Sequence, residues 1–338
     1  MMKSHPSDVA LDDDLREWLA VALHRLTGAE EFQSKALKVE ASFRHFYRIS
    51  SARSREKTFV MMSSPPEREH NDRFLYLADV FHRAHIGVAE ILAHDSTHGW
   101  FLMSDLGEQD LESAYSGADK NRAVAAAIAT LIRIQSINDA GITAYTAERL
   151  TMELGIFREW FLGDLLATTL PPALEDALSQ LVLRARAQPQ CCVHRDYHCR
   201  NLLFADSGAF GVVDFQDALL GPASYDLASL LHDCYYTFSE AEISRWRTHY
   251  LSLTPLTLDP DAFAQDLDWA AVQRQLKAIG IFVRLNSRDG KPSHLPYIEP
   301  VLARLTDICR KYPELSPLGN WLKTKQPETT RALASRNS

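Results

Sequence analysis

Between residues 191 and 233 the chain reads CCVHRDYHCRNLLFADSGAFGVVDFQDALLGPASYDLASLLHD, and three of its residues there have the types and spacing for phosphoryl chemistry. His194 and Asp196 are followed by Asn201, and an apolar run over residues 210–213 ends in Asp214. Moving a γ-phosphoryl group needs a base to orient an attacking hydroxyl and two oxygen donors to hold Mg2+ against the phosphates. Asp196 suits the first task, Asn201 and Asp214 the second. The spacing is that of H-R-D-x-x-x-x-N followed by D-F-G; here it reads HRDYHCRN and then DFQ, with Gln216 where the glycine would stand. A lone triplet of this kind arises by chance. Followed by Gly221-Pro222 and Tyr225-Asp226-Leu227, it becomes specific.

Cys191, Cys192, His194, His198 and Cys199 crowd into nine residues, which raises a zinc alternative. A structural zinc site draws its ligands as two spaced pairs, and no second pair follows. Cys191-Cys192-Val193 reads instead as a short buried strand feeding the loop, and His194 as a hydrogen-bonding brace. Asp226, at the start of a helix-like run, is expected to cap that run or to brace the loop.

Other elements must hold this loop in place. Helical spacing of Leu15, Trp18, Leu19, Ala22, Leu23 and Leu26 behind Asp12-Asp13-Asp14 predicts a helix over residues 11–27. Strands are expected over residues 37–40, 47–50 and 58–62, and a strand pair over 88–94 and 100–104 joined by a turn at 95–99. Ser64-Pro65-Pro66-Glu67 has the form of a capping box with proline at the first helical position. A helix is therefore expected to begin there and run through Phe74, Leu77, Ala78 and Phe81. Further helices are expected over 123–137, 152–166, 172–186, 239–250, 269–285 and 297–309, and a polar, frayed tail from Lys323 onward.

A length of 338 residues favours two domains, and 46% hydrophobic with 24% charged residues is the composition of a globular protein. A net charge of −8 argues against nucleic acid as a partner. The N-terminus lacks the apolar core of a signal peptide, and the most apolar run, residues 123–132, falls far short of the roughly 20 residues that span a bilayer. A cytoplasmic protein with no membrane partner, and a monomer, is expected. Five cysteines without a C-x-x-C fit reduced, buried thiols.

The missing glycine, the continuation Asp217-Ala218 and the run Tyr225-Asp226-Leu227-Ala228 resemble the aminoglycoside phosphotransferase and sugar-kinase branch of the kinase superfamily. Within it, HRDYHCRNLLF followed by VVDFQDALLGPASYDLASLLHDCY resembles the bacterial anomeric kinases that phosphorylate N-acetylmuramate and N-acetylglucosamine at C1 during cell-wall recycling. The likeness is dense over the central stretch, weaker but in order from Ala41 to Asp105, and thin after Tyr236.

The resemblance implies an α+β, two-lobed protein-kinase-like fold: a small sheet-rich N-lobe over residues 1–104, a larger helical C-lobe over 105–325, and a frayed tail over 326–338. It implies ATP and Mg2+ as cofactors and a small-molecule amino sugar as acceptor. The phosphate loop falls at residues 41–46, which contain no glycine; Ser42 could offer a hydroxyl, and Arg44 and Arg48 charge. An ordinary hairpin turn with solvated arginines is the alternative. Met61 and Met62 stand where a kinase carries its phosphate-pairing Lys, so Arg44 or Arg48, or failing them Lys57, is expected to supply the cation. Glu67 or Glu69 could pair with it, although the cap already accounts for Glu67. Met103, Asp105 and Leu106 fall at the adenine-binding hinge, or at a simple strand exit. Asp233, Tyr235, Arg288 and Lys291 fall at the acceptor pocket, with a solvated turn at Asp289-Gly290 as the alternative for the last two. Asp217 could face a second metal or the sugar.

Two rivals stand beside this reading. An aminoglycoside phosphotransferase needs an acidic pocket for a polycationic acceptor, which the net charge permits and Arg288 and Lys291 oppose. A catalytically inactive nucleotide-binding regulator would explain the absent Gly-rich loop and Lys, but not the retention of Asp196, Asn201 and Asp214 together.

Overall fold

Alternate side chains of residues 45–51 turn inward, Tyr47, Ile49 and Ser51, the period of a strand with one face on a core. A computed structural model describes residues 11–29, 31–37, 43–51, 54–204 and 210–336. Helix α1 (Asp13–Thr27) opens the described chain, with the Asp12 side chain accepting from the Leu15 N–H at 2.8 Å. Strands β1 (Phe32–Ala36), β2 (His45–Ser51) and β3 (Ser54–Ser63) follow, then helix α2 (Asn71–Arg83) and strands β4 (Ile91–Asp95) and β5 (Trp100–Ser104). The five strands form one antiparallel sheet in the order β1-β2-β3-β5-β4. Leu15, Leu19 and Leu23 of α1 join Ile49, Phe59, Met61 and Leu102 in its core. β1 was not legible, and the strand expected at 37–40 lies largely outside the described residues.

The capping-box expectation at Ser64 is overturned, because α2 begins at Asn71. Ser64 is held elsewhere. Its N–H donates to the Gly99 carbonyl at 2.8 Å, its hydroxyl donates to Asn71 Oδ1 at 2.6 Å, and its carbonyl accepts from Asn71 Nδ2 at 2.8 Å. The Gly99 turn comes so close that a Cβ there would stand 1.9 Å from the Ser64 oxygen, on a backbone with φ of +70°. Pro65-Pro66 thus forms a turn pinned to the β4–β5 hairpin.

The remaining elements are mostly helical: α3 (Leu111–Tyr115), α4 (Lys120–Gln135), α5 (Ala147–Ile156) continued by a π-helix over Phe157–Leu165, and α6 (Glu175–Ala187). Then come the short strands β6 (Gln190–Val193), β7 (Leu202–Phe204), β8 (Phe210–Val212) and β9 (Leu219–Pro222), and helices α7 (Tyr225–Leu231), α8 (Glu240–Leu253), α9 (Pro260–Asp289), α10 (Ile298–Arg310) and α11 (Ser316–Arg336). β6 pairs antiparallel with β9, the buried strand read from Cys191-Cys192-Val193. The frayed tail is a second correction: α11 runs to Arg336 and buries Leu318, Leu322, Thr329 and Leu333. Too few apolar residues betray that face, and packing against α10 supplies the helix.

The chain divides into two compact units, one of residues Met1–Glu108 with Gly211–Gln216, the other of Gln109–Phe210 with Asp217–Ser338. Among the described residues no helix is long and apolar enough to cross a membrane.

Candidate active site

In the larger unit, the loop from His194 to Asn201 leaves β6 and is held from beneath by two buried carboxylates. Asp226, on α7, accepts from the His194 N–H at 2.6 Å and the Arg195 N–H at 2.9 Å. Asp233, just beyond α7, accepts from the Cys199 N–H at 2.8 Å and the Tyr235 N–H at 2.8 Å. Both are fully buried. A carboxylate can sit there because backbone donors replace its water. The brace expected of Asp226 is present. Asp233, expected in the acceptor pocket, is a second brace and presents no side-chain surface to an acceptor.

The loop backbone is held in an unusual shape. Arg195 has φ of +79°, which a non-glycine residue adopts only when its surroundings enforce it. Its guanidinium pairs with Glu153 on α5 and donates to the Asp217 carbonyl at 3.2 Å. Asp196 follows, with its N–H donating to His194 Nδ1 at 3.3 Å and its carbonyl accepting from Asn201 Nδ2 at 3.0 Å. Asp196 and Asn201 are thereby brought together. The Asp196 side chain keeps 38% of its surface exposed.

Sequence reasoning missed what faces that carboxylate. Arg274 of α9 places Nη2 3.7 Å from Asp196 Oδ1, and Lys277, one turn on, lies 3.4 Å from Glu153 Oε2. Burial alone would raise the Asp196 carboxyl; Lys277 and then Arg274 outweigh it and hold the group well below the usual carboxylate range. The signal was available. Gln273, Arg274, Gln275 and Lys277 interrupt an apolar helix, and all four are buried. Likewise Glu153 shares a buried helix face with Leu150 and Leu154.

In the smaller unit, Asp214 closes an apolar strand and has φ of +63°, with its carboxylate exposed and accepting from Gln216 Nε2 at 2.6 Å. Phe215 is stacked on Phe74 and Phe81 of α2, with centroids 5.5 and 5.3 Å away. The Val212 N–H donates to the Gly87 carbonyl at 2.7 Å. Asp214 is thus turned outward by the side chain that follows it.

The two arginines expected at the phosphates differ. Arg48 donates Nε to Asp105 Oδ2 at 2.6 Å and Nη2 to the Gly107 carbonyl at 3.0 Å, and also pairs with Glu108. Asp105 further accepts from the Thr58 hydroxyl and the Gly107 N–H, at 2.7 and 2.9 Å. Burial raises this carboxyl, but Arg48, Thr58 and Gly107 together pull it below its ordinary value. Arg48 and Asp105 therefore bind each other. Arg44 is buried instead beside α2: Nε donates to Ser64 Oγ at 3.2 Å, Nη2 lies 3.4 Å from Glu69, and the guanidinium covers the Phe74 ring at 5.3 Å. Glu69, one of the two glutamates expected to pair with such a cation, is its partner. Met61 and Met62 are buried in β3, and Met103 in β5; Leu106 is half-buried. Ser42 lies outside the described residues.

Of the acceptor candidates, Tyr235 sits among aromatic rings, under the Arg200 guanidinium at 3.8 Å and against Tyr297 and His198 at 5.1 and 5.2 Å. Asp217 is 58% exposed, 3.5 Å from Arg195. Arg288 bonds its neighbour Asp289 through Nε and Nη2, at 2.7 and 2.9 Å. Lys291 follows the Gly290 cap and donates its N–H to the Leu285 carbonyl.

The five cysteines are buried, and none forms a disulfide. Burial pushes the Cys191 and Cys199 thiols far above their usual range, the reverse of what a thiolate ligand needs. Among the described residues no group of three His, Cys, Asp or Glu side chains is arranged to hold a metal.

Residues 34–264 match the model of the phosphotransferase enzyme family. The chain is 33% identical to the N-acetylmuramate/N-acetylglucosamine kinase of Pseudomonas putida, covering 94% of each chain. It is also 33% identical to the protein of that name from Pseudomonas aeruginosa, over 94% of this chain and 97% of the other. Solved structures with the same fold include Plasmodium vivax ethanolamine kinase, with a TM-score of 0.63 at 12% identity over 90% of this chain and 92% of that one. ADP-bound aminoglycoside phosphotransferase APH(2'')-Ib gives a TM-score of 0.57 at 15% identity, over 88% and 99%. The small antiparallel sheet unit and the larger helical unit are those of this kinase-like α+β fold.

Proposed function

Because the chain belongs to the phosphotransferase enzyme family, we propose that it uses ATP and Mg2+ to phosphorylate the anomeric hydroxyl of N-acetylmuramate and N-acetylglucosamine, in the cytoplasm, where cell-wall sugars are recycled. The carrying observation is the likeness to the two Pseudomonas kinases along 94% of this chain, which takes in the braced loop and its carboxylate.

Asp196 is the base. Its carboxylate is ionised at neutral pH, partly exposed, and fixed by a loop that Asp226 and Asp233 hold. It aligns the sugar hydroxyl and takes its proton as the new P–O bond forms. A carboxylate held so low is a weak base, and an anomeric hydroxyl, more acidic than an ordinary alcohol, suits it. Asn201 and Asp214 each carry an oxygen of the kind a hard cation takes. The Asn201 nitrogen is engaged by the Asp196 carbonyl, so Oδ1 remains as an oxygen donor, and Asp214 exposes a carboxylate. Mg2+ held by these residues would neutralise phosphate charge that repels the nucleophile. Arg44, paired with Glu69 as a kinase Lys is paired with its helix Glu, is the phosphate-directed cation of this reading. The backbone of Met103 and Leu106 would meet the adenine edge.

ADP release measured against N-acetylmuramate, N-acetylglucosamine, glucose, kanamycin and homoserine tests the reading. The two amino sugars should be turned over, giving a non-reducing product whose anomeric proton couples to phosphorus in NMR. Turnover of kanamycin alone, or a product that still reduces, would overturn it.

A further inference from the structure

Within the larger unit, helix α9 carries a row of cations that begins at the reactive loop. Arg274, Lys277, Arg284 and Arg288 are spaced so that, at 3.6 residues per turn, they fall within an arc of about 80°, and Ile281 completes the row. The row climbs from the interior to the surface: Arg274 and Lys277 are buried, Ile281 and Arg284 half-buried, and Arg288 exposed. Three of the cations have a carboxylate beside them. Arg274 Nη2 lies 3.7 Å from Asp196 Oδ1, Lys277 Nζ lies 3.4 Å from Glu153 Oε2, and Arg288 bonds Asp289 at 2.7 and 2.9 Å. Arg284 has none. Among the described residues it forms no ion pair, and its Nε is buried without a hydrogen-bond partner. Burial first, and then Arg288, hold its guanidinium below the ordinary arginine range, while Asp289 and Glu159 oppose this only from beyond ion-pair distance. A half-buried cation beside another cation, with no carboxylate of its own, is complete only when an anion arrives.

We propose that Arg284 is the specificity-determining residue of the acceptor site, its guanidinium taking the carboxylate of an anionic sugar while Asp196 meets the reacting hydroxyl. This rests on the proposed amino-sugar acceptor, of which N-acetylmuramate is the anionic member. The placement along α9 suits it. Lys277 and Arg284 are seven residues apart, about 10 Å of axial rise. Helix side chains lean toward the N-terminus, which carries the Arg284 side chain back over Ile281 toward the loop. The step is the reach of one pyranose ring with a carboxylate-bearing substituent, and Ile281 supplies apolar surface for the ring between the two ends. A triphosphate carries several charges, whereas one unmatched cation suits a single carboxylate. Arg288, with Asp289 already bonded to it, lacks that vacancy for charge.

The two amino sugars differ by the lactyl carboxylate, so the ratio of kcat/KM for N-acetylmuramate to that for N-acetylglucosamine, measured on the full chain by ADP release, tests this. Arg284→Gln should lower the ratio about tenfold or more, through KM for N-acetylmuramate. Arg284→Lys, which keeps the charge, should recover much of it. In the wild type, added NaCl should raise KM for N-acetylmuramate more than KM for N-acetylglucosamine, a difference that Arg284→Gln should lose. Arg284→Met serves if the Gln variant fails to fold, and calorimetric binding of the two sugars gives the same comparison without turnover. A ratio unmoved in the folded variants, or equal losses on both sugars, overturns the proposal and leaves the anomeric kinase standing. A KM for ATP raised alike with either sugar would put the guanidinium at the nucleotide, and overturns it too. Wild-type protein that turns over neither sugar removes the proposed function and this proposal with it.

Discussion

Asp196→Asn preserves the size of the side chain and its hydrogen bonds while removing its capacity to take a proton. Turnover should drop by about 10²-fold or more, while nucleotide binding measured by calorimetry stays close to wild type; a variant retaining a tenth of the rate would rule out the base. Asp226→Ala probes the layer beneath. Both carboxylate oxygens accept backbone N–H groups in a fully buried place. Stranding those donors should cost about 3 kcal/mol of folding stability, read as a lowered urea midpoint. If Asp226→Ala left that midpoint unchanged, the loop would need another support. At this scale the sequence was most legible where a motif joins near neighbours in the chain, as at Asp196 and Asn201, which the braced loop brings together. It was least legible where one type serves two ends. A buried aspartate that braces a loop, as Asp233 does, and one that faces a sugar share a letter and differ only in what stands around them. The pairing of Arg48 with Asp105 was not legible, because it joins residues far apart in sequence.

Helices and strands were legible where a periodic apolar face coincides with the element, as in α1 and β5, and where a local signal has no competitor. At Ser64 the competitor was tertiary: the Gly99 hairpin claims the same backbone and hydroxyl that a cap would use. In α11 the buried residues are too sparse to show a period. The junction of α5 and its π-helical continuation has a cause outside its own sequence. Gly280 of α9 approaches it so closely that a Cβ would lie 2.6 Å from the Ile156 oxygen and 2.8 Å from the Phe157 nitrogen. Both are backbone atoms and neither can rotate away. Gly280→Ala should therefore destabilise the protein by about 1–3 kcal/mol despite alanine's better helix propensity. A thermal midpoint equal to or above wild type would show that α9 can shift. A lowered kcat in the same variant would report the displacement of Arg274 and Lys277, which ride on that helix.

For the whole molecule, two histidines set the response to mild acid. His232 and His198 are each held down to about 4, by burial first, with Asp268 opposing in one case and Arg274 assisting in the other. Each therefore takes up a proton on unfolding between about pH 4 and the ordinary value near 6.5. Because the unfolded chain binds more protons there, stability rises with pH across that window and is lost as pH falls, by up to about 1.4 kcal/mol per pH unit for each group. Urea midpoints at pH 7.5, 6 and 5 should decline together. His232→Gln should remove about half of the slope, a comparison that separates the histidine from Asp226, whose raised carboxyl acts in the opposite sense. Equal slopes in wild type and variant would mean that His232 is protonated in the fold.

The smaller unit draws six of its residues, Gly211–Gln216, from beyond more than a hundred residues of the larger one. Phe215, the ring that covers Phe74 and Phe81, is among them. As the chain leaves the ribosome, the first 108 residues can assemble a sheet and α2, but α2 keeps two aromatic rings without their cover until residue 215 has been made. The sheet unit is finished only after much of the helical unit exists. Cut at residue 108, it would lack the Phe215 cover of Phe74 and Phe81, and its genetic separation from the rest would have to carry the six-residue segment along.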